Sequence, residues 1–440
     1  MKIAFIIPAA DIRRTFSYRL ADKFYGPRHP ITGPLILGSI LNHSGHQVEI
    51  YEELFKDIDF RKVEEANLIG INIMTSTAVR GYKIADFIKR KTNKRIIIGG
   101  IHASVLPEEA LKHADQVIVG EAESVIREVV EGKCKDKIVY APSVKNLDEI
   151  PFPNYSLLKT PYNALNVLTS RGCPYSCNFC TTTRMFFPYR QRSPENVIEE
   201  LKIYKKKGLK YLCFQDDNFT ADKERAKEIL DKMIFHRLIF KETFFYARTD
   251  MFDDSELLDL LKRANFRRVF IGIESLNQQS LKYVNKKQTL TNIEQMRDQL
   301  NKYKFKLIAS FVIGLDHDDI EDIQRMVSFS KEINAYQLQP QILTPYVGTP
   351  IHDQLETEGR ILTKDWEKYD MMHVVFQPKN MTPRTLQQEF FNALNSFYSL
   401  RSPWNDFKHL GWMDGMKKIA FNMVIKFGAK MGSIKFIARA

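Results

Sequence analysis

The chain has 440 residues, with 65 Lys or Arg against 53 Asp or Glu and a formal net charge of +12. Apolar residues at 44% and charged residues at 27% exclude a disordered or collagen-like chain, and the length predicts two or three domains. The basic excess points to an anionic partner such as nucleic acid, phosphate or lipid headgroups, without choosing among them.

The start, Met1–Pro8, is apolar but short, and Asp11, Arg13 and Arg14 follow at once, so it reads as a buried first strand rather than an export signal. Nowhere do about 18 apolar residues run unbroken, which argues against a membrane span and for a cytoplasmic protein. Ile- and Val-rich runs follow at Gln47–Tyr51, Leu68–Thr75, Arg95–Gly100 and Gln116–Gly120, separated by helical patterns. Continuous apolar strands alternating with helices predict an α/β domain, a doubly wound parallel sheet over residues 1–140, whose ligands bind beyond the carboxyl ends of the strands. Residues 141–163 read as a proline-containing linker. A second β/α series spans 164–375, with strands at Ala164–Thr169, Tyr211–Gln215, Phe244–Ala247, Val269–Ile273, Leu307–Ile313 and Gln337–Leu343. Six such units predict a partial or full β/α barrel with its reactive residues at the strands' carboxyl ends. Ser193-Pro194-Glu195 opens one of its helices, with Ser as cap and Pro at the first helical position. From 376 to 440 the pattern is helical. Met416, Ala420, Met423, Phe427, Met431 and Ile434 fall at spacings of three and four, and residues 401–440 hold eight basic against two acidic side chains. That is a basic amphipathic helix, a candidate for peripheral contact with the inner face of a membrane, the competing expectation being packing on the barrel.

Of five cysteines, three lie within eight residues, in Arg171-Gly172-Cys173-Pro174-Tyr175-Ser176-Cys177-Asn178-Phe179-Cys180. Structural zinc normally takes four protein ligands. Three thiolates on one short loop instead suit three irons of a 4Fe-4S cluster with the fourth left open. Cys134 reads as an exposed loop thiol, and Cys213 as a buried small apolar residue in a strand.

This C-x3-C-x2-C loop, placed after a strand and opening a β/α series, resembles the radical S-adenosylmethionine (SAM) superfamily. The resemblance implies that Cys173, Cys177 and Cys180 bind a 4Fe-4S cluster whose open iron chelates SAM. Reduction by a partner such as ferredoxin or flavodoxin would then generate a 5′-deoxyadenosyl radical. It also assigns SAM contacts to Phe179 in the loop, Asp216 and Asp217 after the second strand, Arg248 after the third, Glu274 and Ser275 after the fourth and Gly314 after the fifth. Gly33–Gly38, Gly99–Ser104 with Pro107-Glu108-Glu109, and Val119–Glu123 resemble the cobalamin-binding domain fused ahead of anaerobic tetrapyrrole cyclases and hopanoid methylases. That likeness implies cobalamin contacts at Thr75, Ser76, Gly99, Gly100, His102, Gly120 and Glu121. The Asp-x-His-x-x-Gly signature is absent, so no histidine ligand to cobalt is expected. The implied function is cobalamin-dependent radical methylation of an unactivated carbon in a small-molecule or lipid substrate, with radical cyclisation or carbon–carbon coupling as the alternative. A zinc-containing nucleic-acid binder is disfavoured, because no basic patch is interleaved with aromatics.

Overall fold

The computed structural model describes residues 1–10, 29–399 and 412–437. Its first unit is a six-stranded, all-parallel sheet of β1 (Lys2–Ile7), β2 (Gln47–Glu52), β3 (Leu68–Asn72), β4 (Arg95–Gly99), β5 (Gln116–Gly120) and β6 (Ile138–Ala141), in the order β2-β1-β3-β4-β5-β6. The order turns back on itself at β1, the doubly wound arrangement expected from the sequence. The side-chain period of two sends alternate residues of β1 to opposite faces. Ala4 and Ile6 enter a core under α2 (Ala78–Lys91), whereas Ile3, Phe5 and Ile7 join a core that continues into the rest of the molecule. Covered on both faces, these strands need the unbroken Ile and Val runs by which they are recognised. The sixth strand escapes that pattern because it is a short edge strand, with Tyr140 70% exposed.

The second unit is a six-stranded parallel sheet of β7 (Ala164–Val167), β8 (Tyr211–Phe214), β9 (Glu242–Ala247), β10 (Phe266–Glu274), β11 (Lys306–Ile313) and β12 (Gln337–Ile342). Its order follows the chain, β7 to β12, so it is an open, partial barrel. Helices α5 (Pro194–Lys206), α6 (Lys223–Phe235), α7 (Ser255–Arg263), α8 (Leu290–Tyr303) and α9 (Ile320–Glu332) connect successive strands. Ser193 caps α5 by accepting from Asn196 N, with Pro194 opening the helix as its sequence predicts.

The stretch expected to be a linker is a packed strap. Leu147, Tyr155 and Leu157 are buried, Tyr155 and Leu157 in the core shared by both units, and Ser39 on α1 (Thr32–His43) donates to Phe152 O at 2.8 Å. Cys134, expected to be exposed, is half-buried against that core, and Cys213 is fully buried. At the carboxyl end α10 (Pro383–Phe397) packs on β12 and α9, and α11 (Trp412–Ile437) packs on α10. Among the described residues no helix is long and apolar enough to cross a membrane.

Candidate functional site

After β7 the chain makes a two-residue antiparallel pairing, Ser170–Arg171 with Arg190–Gln191, which closes a loop over 172–189. Gly172 starts this loop at φ +82, and a Cβ there would stand 2.3 Å from Phe186 O, so only glycine can start it. Cys173, Cys177 and Cys180 lie on the loop, all partly exposed, with α4 (Thr182–Met185) just behind the last of them. The loop is pinned from the far side. Asn178 N donates to Val284 O at 3.1 Å, Asn178 Nδ2 to Tyr283 O at 2.8 Å and Asn285 Nδ2 to Ser176 O at 2.9 Å.

Burial pushes the Cys173 thiol up to about 11. It also raises Cys177, against the opposing charges of Lys286 and Arg248. Among the described residues no three His, Cys, Asp or Glu side chains close around a single metal ion. The three thiols are close enough to feel one another's charge, and three thiolates on one short loop suit three irons of a cluster, whereas structural zinc normally takes a fourth protein ligand. Arg248 and Lys286 supply positive charge where thiolates and an anionic cluster would need it.

The side chains singled out from the sequence separate into two groups. Asp217, Arg248 and Glu274 gather at the carboxyl ends of β8, β9 and β10, around the mouth that the cysteine loop covers. Asp217 opens onto this mouth, accepts from Thr182 Oγ1 at 2.9 Å, and is pushed up to about 6 by the protein crowding it elsewhere. Arg248 lays its guanidinium over the Tyr175 ring at 3.8 Å, and Tyr175 donates to Asp250 Oδ2 at 2.7 Å. Glu274 pairs with Lys286 at 2.7 Å, both side chains nearly buried. This pair needs glycine beneath it, since a Cβ at Gly272 would stand 2.3 Å from Glu274 Oε1. Lys286 gave no sequence signal, being one lysine of two in a loop. Phe179, half-buried, packs against the shared core behind the cysteine loop.

The other side chains work elsewhere. Asp216 was expected to meet SAM, but it is buried and turned inward. Its Oδ1 accepts from Thr169 N at 3.0 Å and Thr169 Oγ1 at 2.9 Å, bracing the strand end that carries the cysteine loop. Ser275 Oγ accepts from Asn277 N at 3.0 Å and shapes its own turn. Gly314, at φ +87, lies where a Cβ would meet Leu386 of α10 at 2.5 Å, so it serves the packing of that helix.

Between the first sheet and the barrel lies a cavity of about 170 Å³. Ser104, Val105 and Gly120 line it from the first unit, and Thr181, Arg184, Met185 and Gly348 from the second. Gly100 starts α3 (Ile101–Val105) at φ +104, where a Cβ would meet Ile73 O at 2.5 Å; Gly99 lies just before it at the end of β4. Gly120 N donates to Ser104 Oγ at 3.0 Å. Small residues at the carboxyl edge of a doubly wound sheet, with Ser104 and Gly120 on the cavity wall and Gly99 and Gly100 just before them, mark the place where such sheets take a cofactor.

His102, expected at that cofactor, is completely buried instead. Its ring nitrogens face Thr75 Oγ1 at 3.3 Å and Glu109 Oε1 at 3.1 Å, which leaves no edge free; Ser76 stands beside Thr75 in the short turn after β3. Glu109 also accepts from Tyr82 OH at 3.0 Å and from Trp366 Nε1 at 3.1 Å, so this cluster fastens the first unit to the barrel's last segment. Glu121 is likewise spent on the junction. It pairs with Arg171 at 2.8 Å and with Arg190, and it accepts from Val144 N at 3.2 Å. Sequence spacing gives no sign of which way these side chains turn.

Residues 167–330 match the family model of the radical SAM superfamily, and residues 20–130 that of the B12 binding domain. An uncharacterised methyltransferase of Pyrococcus horikoshii is 27% identical over 436 residues, covering 90% of this chain and 92% of that one. The bacteriochlorophyllide d C-8(2)-methyltransferase of Chlorobaculum tepidum is 27% identical, with 80% and 82% covered. An anaerobic magnesium-protoporphyrin IX monomethyl ester cyclase of Cereibacter sphaeroides is 25% identical, with 70% and 56% covered. In fold the chain is similar to TsrM of Kitasatospora setae, a radical SAM methyltransferase solved with cobalamin and a 4Fe-4S cluster. The TM-score is 0.70 at 14% identity, covering 98% of this chain and 99% of the other.

Proposed function

We propose that this chain, which belongs to the radical SAM superfamily and carries a B12-binding domain ahead of the barrel, is a cobalamin-dependent methylase acting on an unactivated carbon of a small molecule. The observation that carries this reading is the position of the 170 Å³ cavity. Thr181, Arg184 and Met185 wall it on one side, and they follow directly on Cys180, so the B12-domain cradle and the cysteine loop are two sides of one short segment.

Cys173, Cys177 and Cys180 would hold the 4Fe-4S cluster, and Gly99, Gly100, Ser104 and Gly120 would back the cobalamin. Bound there, the cluster with SAM supplies one-electron hydrogen abstraction and cobalamin supplies methyl transfer. Asp217, open to the mouth, is placed to accept hydrogen bonds from an ammonium group. Glu274, anchored by Lys286, is placed to accept from hydroxyls. Arg248 and Lys286 offset the negative charge of the thiolates, and the loop over 172–189 covers the barrel mouth. The need of such chemistry for a low-potential electron calls for a reductant such as ferredoxin or flavodoxin. A radical cyclisation is the competing reading, favoured by the cyclase among the relatives.

One assay separates the two. Protein reconstituted anaerobically with iron, sulfide and cobalamin is given SAM, reductant and a substrate panel. Methylation requires S-adenosylhomocysteine together with a product heavier by one methyl group, whereas 5′-deoxyadenosine without S-adenosylhomocysteine would overturn it in favour of the cyclase reading. The tail adds a finer reading, a peripheral contact of α11 with an anionic membrane, because its Met423 and Phe427 face outward beside Lys426 and Lys430.

A further inference from the structure

The inner face of the barrel carries an arrangement set apart from the cysteine loop and from the cavity beside it. Along β9 and β10 the alternation of the strand sends Phe245, Ala247, Val269 and Ile271 into the hydrophobic core, and Phe244, Tyr246 and Phe270 to the opposite, concave face. These three rings stay partly exposed and belong to no core cluster. They form a continuous wall, with Phe244 and Tyr246 centroids 4.9 Å apart and Tyr246 and Phe270 centroids 5.2 Å apart. Across from them, β12 reads Gln337-Leu338-Gln339-Pro340-Gln341-Ile342, so alternation puts every glutamine on the concave face. Gln339 is in register with Ser310. The carboxamides of Gln339 and Gln341 are partly exposed, and neither has a partner among the described residues.

Charge is confined to the two ends of this face. Glu242 with Arg268 and Lys306 forms the floor, and Arg248 with Glu274 and Lys286 forms the rim. Between them the inward positions on these strands are aromatic, aliphatic, hydroxyl or amide. A buried charge lodged there would find no counter-ion, and an aliphatic body would leave two carboxamides unpaired. A flat ring lies well on the aromatic wall, and carbonyl or N–H groups along its edge satisfy amides that both donate and accept.

We propose that this face selects the substrate, and that the substrate is an uncharged, planar, conjugated ring system bearing carbonyl or N–H groups along one edge, held between the Phe244–Tyr246–Phe270 wall and the Gln339–Gln341 amides. This names the substrate class for the methylase reading above, and it rests on that reading only in taking the barrel interior as the substrate chamber.

The test uses full-length, cluster-reconstituted protein and three probes read by fluorescence anisotropy or competition. Lumichrome is flat and uncharged with an imide edge, anthracene is flat with no polar edge, and squalane is saturated and apolar. Wild-type protein is expected to bind lumichrome at least tenfold tighter than anthracene, with squalane failing to compete. In Gln339→Leu/Gln341→Leu the ratio of lumichrome to anthracene affinity falls about tenfold, the discrimination that an unpaired polar site imposes. Using the ratio keeps the result independent of small losses of folded protein. Phe270→Leu weakens both flat probes together. An unchanged ratio in the double variant, preferential binding of squalane, or no saturable binding of lumichrome to wild type overturns the proposal. Failure of the methylase reading is separate: it shows as SAM consumption without S-adenosylhomocysteine, whatever the probes do.

Discussion

Lys286 holds Glu274 across 2.7 Å with both side chains about 8% exposed, and its charge also bears on the Cys177 thiol. Removing one partner of such a pair leaves the other charge buried and uncompensated, which costs about 3 kcal/mol or more. Lys286→Met is therefore expected to lower the unfolding free energy of the metal-free chain by roughly 3 kcal/mol, and Lys286→Met/Glu274→Gln to recover much of that loss. Urea unfolding of the two variants checks it, and equal stability of single and double variants would show that the two charges do not depend on each other. The pair also shows what was legible at this scale. The cysteine triad stands out because three soft ligands within eight residues, in a chain with no disulfide framework, serve little besides holding metal. Glu274 stands out only through the resemblance of its strand end. Lys286 is invisible, since nothing in Asn285-Lys286-Lys287 says which lysine turns inward. The directions of Asp216 and His102 are equally invisible, because a polar residue at a strand's end faces the site or braces it according to a rotation that spacing does not record.

The same uncertainty of direction acts on whole elements where the two units meet. The cysteine loop leaves and re-enters the barrel through Arg171 and Arg190, and Glu121, the residue after β5, grips both. Gly120, its neighbour, lines the cavity, so one carboxylate ties the cavity wall to both arms of the loop that bears the thiols. Burial works to raise the Glu121 carboxyl, but the Arg190 hydrogen bond and the charges of Arg171 and Arg190 outweigh it and hold the group below its ordinary 4.5. A carboxyl depressed in the folded state adds stability above its unfolded value and loses it as pH falls through the folded one. The wild type is thus expected to exceed Glu121→Gln by about 2 kcal/mol at neutral pH, with the gap closing below pH about 4.5. Unfolding midpoints measured across that range decide it, and a gap independent of pH would show that the arginines do not act through the charge of Glu121. The strands themselves were readable at this scale, because burial on both faces demands Ile and Val without interruption. The β6 edge strand was not, since an exposed edge relaxes that demand, and neither was the strap over residues 141–163, whose prolines disguise buried Leu147 and Tyr155.

For the molecule as a whole, sequence order gives two sheets but not the core they share. Ile3, Phe5 and Leu35 of the first unit and Leu165, Phe214 and Ile229 of the barrel belong to one hydrophobic cluster, which fixes the cradle against the cysteine loop and extends through Leu338 and Ile342 of the last strand to Leu386 and Phe390 of α10. There the basic excess acquires a location. On α11 the side chains of Phe421 and Ala429 are buried, with Phe421 against Tyr398 at 5.8 Å, so the helix rests on α10 by that face. Met423 and Phe427 point the other way, 51% and 61% exposed, with Lys426 and Lys430 exposed one turn apart beside them. Apolar residues turned to solvent between lysines are the arrangement an anionic bilayer stabilises, by inserting the apolar tips and neutralising headgroups at about 1 kcal/mol per lysine. Packing of the tail on α10 accounts for the inner face only. Full-length protein is accordingly expected to co-sediment with phosphatidylglycerol vesicles and not with phosphatidylcholine vesicles. Met423→Ser/Phe427→Ser should lose most of that binding, and added salt should weaken what the lysines contribute. Sedimentation that ignores lipid charge and both substitutions would leave α11 a structural brace, with its lysines serving solubility alone.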